Sequence, residues 1–199
     1  MSKIAILGSG NVGSALQRGL SGKRHETRTS TRIDAREVAE WGDVVILAVP
    51  FGALDEVVRE TAGALDGKPV VDVTNALTKD MRLALGYTTS GAEELQKKLP
   101  AAAVVKCFNT VFAEHMDSGR LDGHPLTAFA ASDDEEARDT VLRLASDIGF
   151  DAIDAGPLEN ARWLEVLGYF NIQLGYSLGL GKRIGLHLVR EDSLVRGGR

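Results

Sequence analysis

The sequence predicts an α/β fold: one mostly parallel sheet covered by helices on both faces. Strand-length apolar runs alternate with segments of helical spacing almost from end to end. Several of those runs are continuously apolar rather than alternating, as strands buried on both faces are. Three glycines, Gly8, Gly10 and Gly13, join the first strand to the first helix. With 199 residues the chain can form one domain with a real core, or one domain and a small extension. The expected division is an α/β domain over 1–155 and a C-terminal helical segment over 156–199 packed on it.

Taken in order, "KIAIL" (3–7) is a buried strand that ends in glycines. "NVGSALQRGLSG" (11–22) is a helix closed by Gly22, and "HETRTS" (25–30) a short polar strand. "DAREVAEW" (34–41) can form two helical turns, with Asp34 at the N-cap. "DVVILAVP" (43–50) is the strongest buried-strand signal and Pro50 ends it. A helix is expected over 53–64 and a strand in "KPVVDVT" (68–74). "SGAEELQKKLP" (90–100) opens with Ser90 and Glu93 in capping-box spacing, and "AVVKCFN" (103–109) is the next strand. "LTAFAAS" (126–132), "DDEEARDTVLRLASDIG" (133–149) and "FDAIDAG" (150–156) read as strand, helix and strand. From Asn160 to about Leu188 the chain reads as helical, interrupted at Gly175, Gly179, Gly181 and Gly185.

A net charge of −5 disfavours nucleic acid and anionic membranes as principal partners. No run of 18 apolar residues is present, and the N-terminal apolar run ends in a glycine loop rather than a cleavage site, so neither a span nor a leader is expected. The single cysteine, Cys107, excludes an internal disulfide and fits a reducing cytoplasm. Its apolar neighbours make it a buried strand residue rather than a reactive thiol.

The loop "ILGSGNVGSAL" has G-x-G-x-x-G spacing in the context that makes this pattern informative, directly after a strand and opening a helix. Gly8 permits the turn, Gly10 lets the backbone approach a pyrophosphate, and Gly13 allows close helix–strand packing. The helix start at Asn11 and Val12 offers N–H groups and a positive dipole end to the anion. These features define a Rossmann-like, doubly wound dinucleotide-binding fold. Its ribose-reading position lies about 20 residues beyond the loop. An acid there would select NAD, but the chain offers Thr31 and Arg32, whose hydroxyl and guanidinium suit the 2′-phosphate of NADP.

In "IAILGSGNVGSAL", "STR", "DVVILAVP", "VVDVTNAL", "VVKCFNTV" and "DAGPLENARWLE", the chain resembles the NADP oxidoreductases related to coenzyme F420-dependent enzymes. It is also similar to the cytosolic domain of the six-transmembrane ferric reductases. The resemblance implies that Ser9, Gly10, Asn11 and Val12 hold the pyrophosphate, and Thr31 and Arg32 the 2′-phosphate. It further implies that Val49 and Pro50 flank the nicotinamide ribose with Asn75 nearby, and that Asn109, Thr110 and Val111 lie at the nicotinamide and second-substrate side. The C-terminal segment would wall that pocket and form much of a homodimer interface.

The chain departs from that family in one place. Only ten residues separate Arg32 from Asp43, too few for the additional helix and strand usual there, so the adenine-side edge of the sheet is expected to be trimmed. Arg36 is a further candidate phosphate contact in the shortened segment.

Hydride transfer to a flavin-like ring needs little acid–base help. His25, His115, His124 and His187 have no carboxylate at triad or metal spacing. His115 reads as a surface loop residue, and Glu159 and Arg162 as an exposed helix start. No metal site is expected. The expected function is hydride transfer between NADP(H) and coenzyme F420, a flavin or a similar acceptor. The alternatives are a non-catalytic NADP-binding sensor and a dehydrogenase of small carbonyls or imines, the last disfavoured because no positioned proton donor is evident.

Overall fold

The computed structural model describes residues 2–22, 24–31 and 33–191. Five parallel strands, β1 (Ser2–Leu7), β2 (His25–Ser30), β3 (Val44–Leu47), β4 (Pro69–Asp72) and β5 (Ala103–Lys106), pair in the order β2-β1-β3-β4-β5. Alternate strand residues feed two cores, which is why the runs are apolar without alternation. Ile4, Ile6, Ile46, Val71 and Val105 pack on one face with Leu16 and Leu20 of α1 (Asn11–Leu20) and with Val141, Leu144 and Ile148 of a later helix. Ala5, Leu7, Val45, Leu47, Val70 and Val104 face the other way. There they meet α2 (Ala35–Trp41) through Val38, α3 (Leu54–Glu60) through Leu54 and Val57, and α4 (Gly91–Lys98) through Leu95. Each large aliphatic side chain buried in this way contributes about 1.5–3 kcal/mol.

The sheet edge is trimmed as expected: among the described residues no strand lies beyond β2. The chain turns from α2 into β3 through Gly42, where an added Cβ would sit 2.6 Å from Cβ of Ala5. Asp43 then clasps β1 at once, its N–H donating to the Lys3 carbonyl and its Oδ2 accepting from the Lys3 N–H, both at 2.8 Å. The guanidinium of Arg28 lies 4.4 Å from the ring centroid of Trp41 and ties α2 to β2. The winding direction reverses between β1 and β3. A crevice therefore opens above their carboxyl ends, the position at which sheets of this class bind ligands.

The later half adds a short hairpin, β6 (Arg120–Leu121) with β7 (His124–Pro125), and a parallel pair, β8 (Thr127–Ala130) with β9 (Asp151–Asp154), joined by α5 (Glu135–Ile148). Asp134 caps α5 by accepting from the Ala137 N–H at 2.9 Å, and Gly149 ends it at φ 127°. Lys106 and Ala131 exchange backbone hydrogen bonds of 2.9 and 3.0 Å, which link β5 to this pair. Cys107 is fully buried, and burial pushes its thiol pKa up to about 12, so it is inert.

The C-terminal expectation needs correction. Helix α6 (Ala161–Ile172) runs into one π-helical turn (Gln173–Ser177), and residues 178–191 form an extended strap rather than helix. Gly179 and Gly181 take φ of 74° and 76°, a left-handed conformation that interrupts the helical ladder. The strap runs beside β8: the Thr127 N–H donates to the Leu186 carbonyl at 2.9 Å and the Leu188 N–H to Thr127 Oγ1 at 2.8 Å.

Candidate functional site

The glycine loop separates positions the protein requires from one it does not. At Gly8 (φ 120°) an added Cβ would lie 2.3 Å from the Ala48 carbonyl oxygen, and at Gly13 it would lie 1.9 Å from that of Gly8. Both glycines are needed for α1 to close on β1 and β3. At Gly10 a Cβ would meet no protein atom within 4 Å. The space beside Gly10 is open at the amino end of α1, whose first turn carries no acid. Exposed Ser9 and Asn11 and half-buried Val12 flank it. A pyrophosphate fits this cradle, and a side chain at Gly10 would fill it.

Three adjoining cavities follow the carboxyl ends of the strands. The first, of about 260 Å³, lies on the β2 side and is lined by Gly8, Ser9, Ser30, Thr31, Val49 and Pro50 among others. Asp34 does stand at the N-cap position of α2, but its side chain does not cap the helix. Its Oδ1 instead accepts from the Thr31 N–H at 2.8 Å and the Thr31 hydroxyl at 2.9 Å. Arg36 pairs with Glu40 at 3.7 Å. Arg32, the principal 2′-phosphate candidate, lies outside the described residues.

The second cavity, of about 380 Å³, sits over β1, β3 and β4. It is lined by Gly10, Asn11, Pro50, Phe51, Thr74 and Asn75 among others, and shares Val49 and Pro50 with the first. The third, of about 280 Å³, shares Asn11, Val12, Val73, Asn75 and Ile172 with the second and extends toward α6. Asn109 and Val111 line it; Thr110 does not, being buried with its carbonyl taken by Asn171 Nδ2 at 3.1 Å.

The floor of these cavities is a buried polar knot. Asn75 Nδ2 donates to the Asn109 carbonyl at 2.9 Å, and Asn109 Nδ2 donates to Asn75 Oδ1 at 2.9 Å and to the Leu164 carbonyl at 2.8 Å. Gly168 of α6 packs onto this pair so closely that a Cβ would lie 2.5 Å from Asn75 Oδ1. Beneath, Lys106 Nζ is fully buried between Asp72 Oδ2 at 3.0 Å and Glu165 Oε1 at 2.9 Å, and it also donates to the Thr74 carbonyl. Burial alone would lower the Lys106 pKa; the two carboxylates more than offset this, and it is raised. Glu165 also accepts from the Gly91 and Ala92 N–H groups at 3.0 and 3.2 Å, so α4, β4, β5 and α6 meet at one ionic cluster. Sequence reasoning missed this cluster, although each member is a charge inside an apolar run: "VVKCF", "VVDVT" and "WLEVL".

The charged groups lining the third cavity are already matched. Glu114 and Lys182 pair at 2.9 Å. Burial would push the Glu114 carboxyl up, but the Lys182 bond holds it below its ordinary range, and the same bond raises Lys182. His115 is not a surface residue: it is buried, with Nε2 3.1 Å from the Lys182 carbonyl, because a 3-10 turn folds it under the strap. Nor are Glu159 and Arg162 a simple exposed helix start. Glu159 is exposed, but Arg162 grips Glu93 through Nε at 2.9 Å and Nη2 at 2.7 Å and locks α6 to the capping box of α4. The described residues include no metal-binding cluster of acids, histidines and cysteine.

This geometry is that of a Rossmann-like, dinucleotide-binding fold with adjoining cavities along the carboxyl ends of its strands. Residues 23–76 match the family model described as NADP oxidoreductase, coenzyme F420-dependent. The chain is 32% identical over 163 residues to the F420-dependent NADP reductase of Methanocaldococcus jannaschii, covering 76% of this chain and 72% of that protein. It is 31% identical over 179 residues to the rat Metalloreductase STEAP3, covering 83% of this chain but spanning only 36% of that protein's length. No described helix is long and apolar enough to cross a membrane. A crystal structure from Arthrobacter sp. FB24, a candidate F420-dependent NADP reductase, superposes with a TM-score of 0.86 at 28% identity, covering 96% of this chain and all of that one. The NADP-bound pyrroline carboxylate reductase of Plasmodium falciparum shares the fold, with a TM-score of 0.58 at 14% identity. The chain belongs to the NADP-binding, coenzyme F420-dependent NADP oxidoreductase family.

Proposed function

We propose that the chain transfers hydride between NADP(H) and a planar acceptor of the deazaflavin class, coenzyme F420 or a flavin, seated in the cavity between β5 and α6. The observation that carries this is the chemistry of that cavity. Its lining is mostly amide and apolar, with Asn75, Asn109, Val111 and Phe112 beside the phenol of Tyr176, and its two charged residues are neutralised by one another. Glu114 is held ionised and Lys182 protonated, so neither is poised to exchange a proton near neutral pH. A ring that accepts hydride without an enzyme-bound acid suits such a wall better than a carbonyl or imine, for which Tyr176 is the one neutral proton donor among the described residues of the lining.

Bound NADPH supplies the hydride. The chain supplies position. The Gly10 cradle and the α1 amino end hold the pyrophosphate, Val49 and Pro50 flank the nicotinamide ribose, and the Asn75–Asn109 pair fixes the floor between donor and acceptor. Thr31 and Arg32 hold the 2′-phosphate. The exposed apolar side chains of α6, the π-helical turn and the strap, Trp163, Phe170, Tyr176, Leu178 and Leu180, are read as a two-fold interface with a second copy, for which light scattering should report a dimer. A monomer at micromolar concentration would rule the interface out.

The experiment is oxidation of NADPH, followed by its absorbance, against F420, FMN, FAD and a ferric chelate. Turnover with F420 or a flavin is expected. Tight NADPH binding without turnover on any acceptor would replace this function with the non-catalytic sensor, which the trimmed sheet edge favours.

A further inference from the structure

We propose that Asp34 is a specificity-determining residue that weakens the preference of this chain for NADPH over NADH. The proposal rests on the 2′-phosphate lying beside Thr31 in the β2-side cavity. Thr31 has two hydrogen-bond donors at that position, its N–H and its hydroxyl, and both point into Asp34 Oδ1, at 2.8 and 2.9 Å. A hydroxyl has one proton to give. While Thr31 gives it to Asp34, it can only accept, and an ionised 2′-phosphate oxygen can only accept as well. The two cannot bond without breaking the clasp.

The carboxylate adds a second obstacle. It sits one hydrogen bond from the atoms that would receive a group carrying a charge of about −1.5 to −2 at neutral pH, and like charges so placed oppose binding. A ribose 2′-hydroxyl meets none of this opposition, because it is neutral and can both donate and accept. Asp34 therefore acts on one cofactor and not on the other. An acid within the phosphate-reading turn is negative selection built beside the positive selection of Thr31 and Arg32. The segment is short range, with Asp34 three residues from Thr31, so the clasp forms as the turn forms.

The test titrates NADPH and NADH against the wild-type chain and the variants Asp34→Asn, Asp34→Ala, Thr31→Val and Arg32→Ala. Asp34→Asn keeps a favoured N-cap residue and removes only the charge, and Asp34→Ser is a second cap-compatible variant whose fold is checked by thermal melting. NADPH should bind about 10-fold more tightly to Asp34→Asn, with NADH changed by less than about 2-fold. The gain from Asp34→Ala should shrink in a Thr31→Val background if it acts through the freed hydroxyl. An Asp34→Asn that leaves the NADPH-to-NADH ratio unchanged or lower, while Arg32→Ala still weakens NADPH alone, overturns the role of Asp34 and leaves the phosphate position standing. If neither Arg32→Ala nor Asp34→Asn changes the ratio, the phosphate position falls too, and the proposal with it.

Discussion

The two ends of the crevice are built differently. On the β2 side, Thr31 is exposed and its partner, Asp34, is three residues away. On the α6 side the connections are buried or half-buried and span the chain: Asn75 to Asn109 across 34 residues, Asn109 to Leu164 across 55, and Glu165 to Gly91 across 74. Under the proposed function the β2 side is the adenosine end, which can be retuned one residue at a time, and the α6 side is the reacting end, held by an ionic cluster and an amide pair that four elements share. Hydride transfer depends steeply on distance and alignment, whereas recognition of a ribose or phosphate needs only complementary charge and donors, and the division of rigidity follows that difference.

The largest way to test the contrast is Lys106→Met. It leaves Asp72 and Glu165 buried without their cation and should cost about 3–5 kcal/mol in chemical denaturation. Thr31→Val, at the other end, should cost under about 1 kcal/mol. Equal losses would mean that the two ends are not differently built. Gly168→Ala is next: its methyl meets Asn75 Oδ1 at 2.5 Å and the Asn109 backbone oxygen at 2.8 Å, so about 1–3 kcal/mol of overpacking is expected. Because the strain falls on the reacting end, hydride transfer should slow more than NADPH binding weakens; the reverse pattern would place the nicotinamide elsewhere.

The smallest effect concerns the Glu93–Arg162 lock. Burial would raise the Glu93 carboxyl, but its bonds to Arg162 and Ser90 hold it below the ordinary 4.5. A carboxyl whose pKa is lowered on folding contributes stability that is present above its unfolded value and lost as pH falls through its folded value. Acid melts should therefore lose stability below about pH 4.5, and Glu93→Gln should flatten that loss by about 1 kcal/mol. An unchanged acid profile would show that the lock does not contribute.

Much of the β2 end was legible in the sequence because its determinants are local. The glycine spacing and the ten-residue gap after Arg32 each announced a feature that the structure contains. Asp34 was legible only in part: its N-cap position followed from the helix pattern, but not the turn of its carboxylate onto Thr31. The α6 end was much less so. Lys106, Asp72 and Glu165 each stand as a charge within an apolar run, a signal the sequence reading does not use, and only tertiary structure brings them together across such separations. The strap after Leu178 was misread as helix because its apolar residues continue those of α6, while the left-handed glycines and the Thr127 bonds that straighten it depend on β8.

The most direct test of the account is calorimetric titration of NADPH into the wild-type chain, Gly10→Val and Gly13→Val, with melting curves for each. A Cβ at Gly10 meets no protein atom within 4 Å, so Gly10→Val should melt with the wild type and show no NADPH binding, whereas Gly13→Val should fail to fold. A folded Gly10→Val that binds NADPH with wild-type affinity would contradict the placement of the pyrophosphate, and with it the assignment of the crevice.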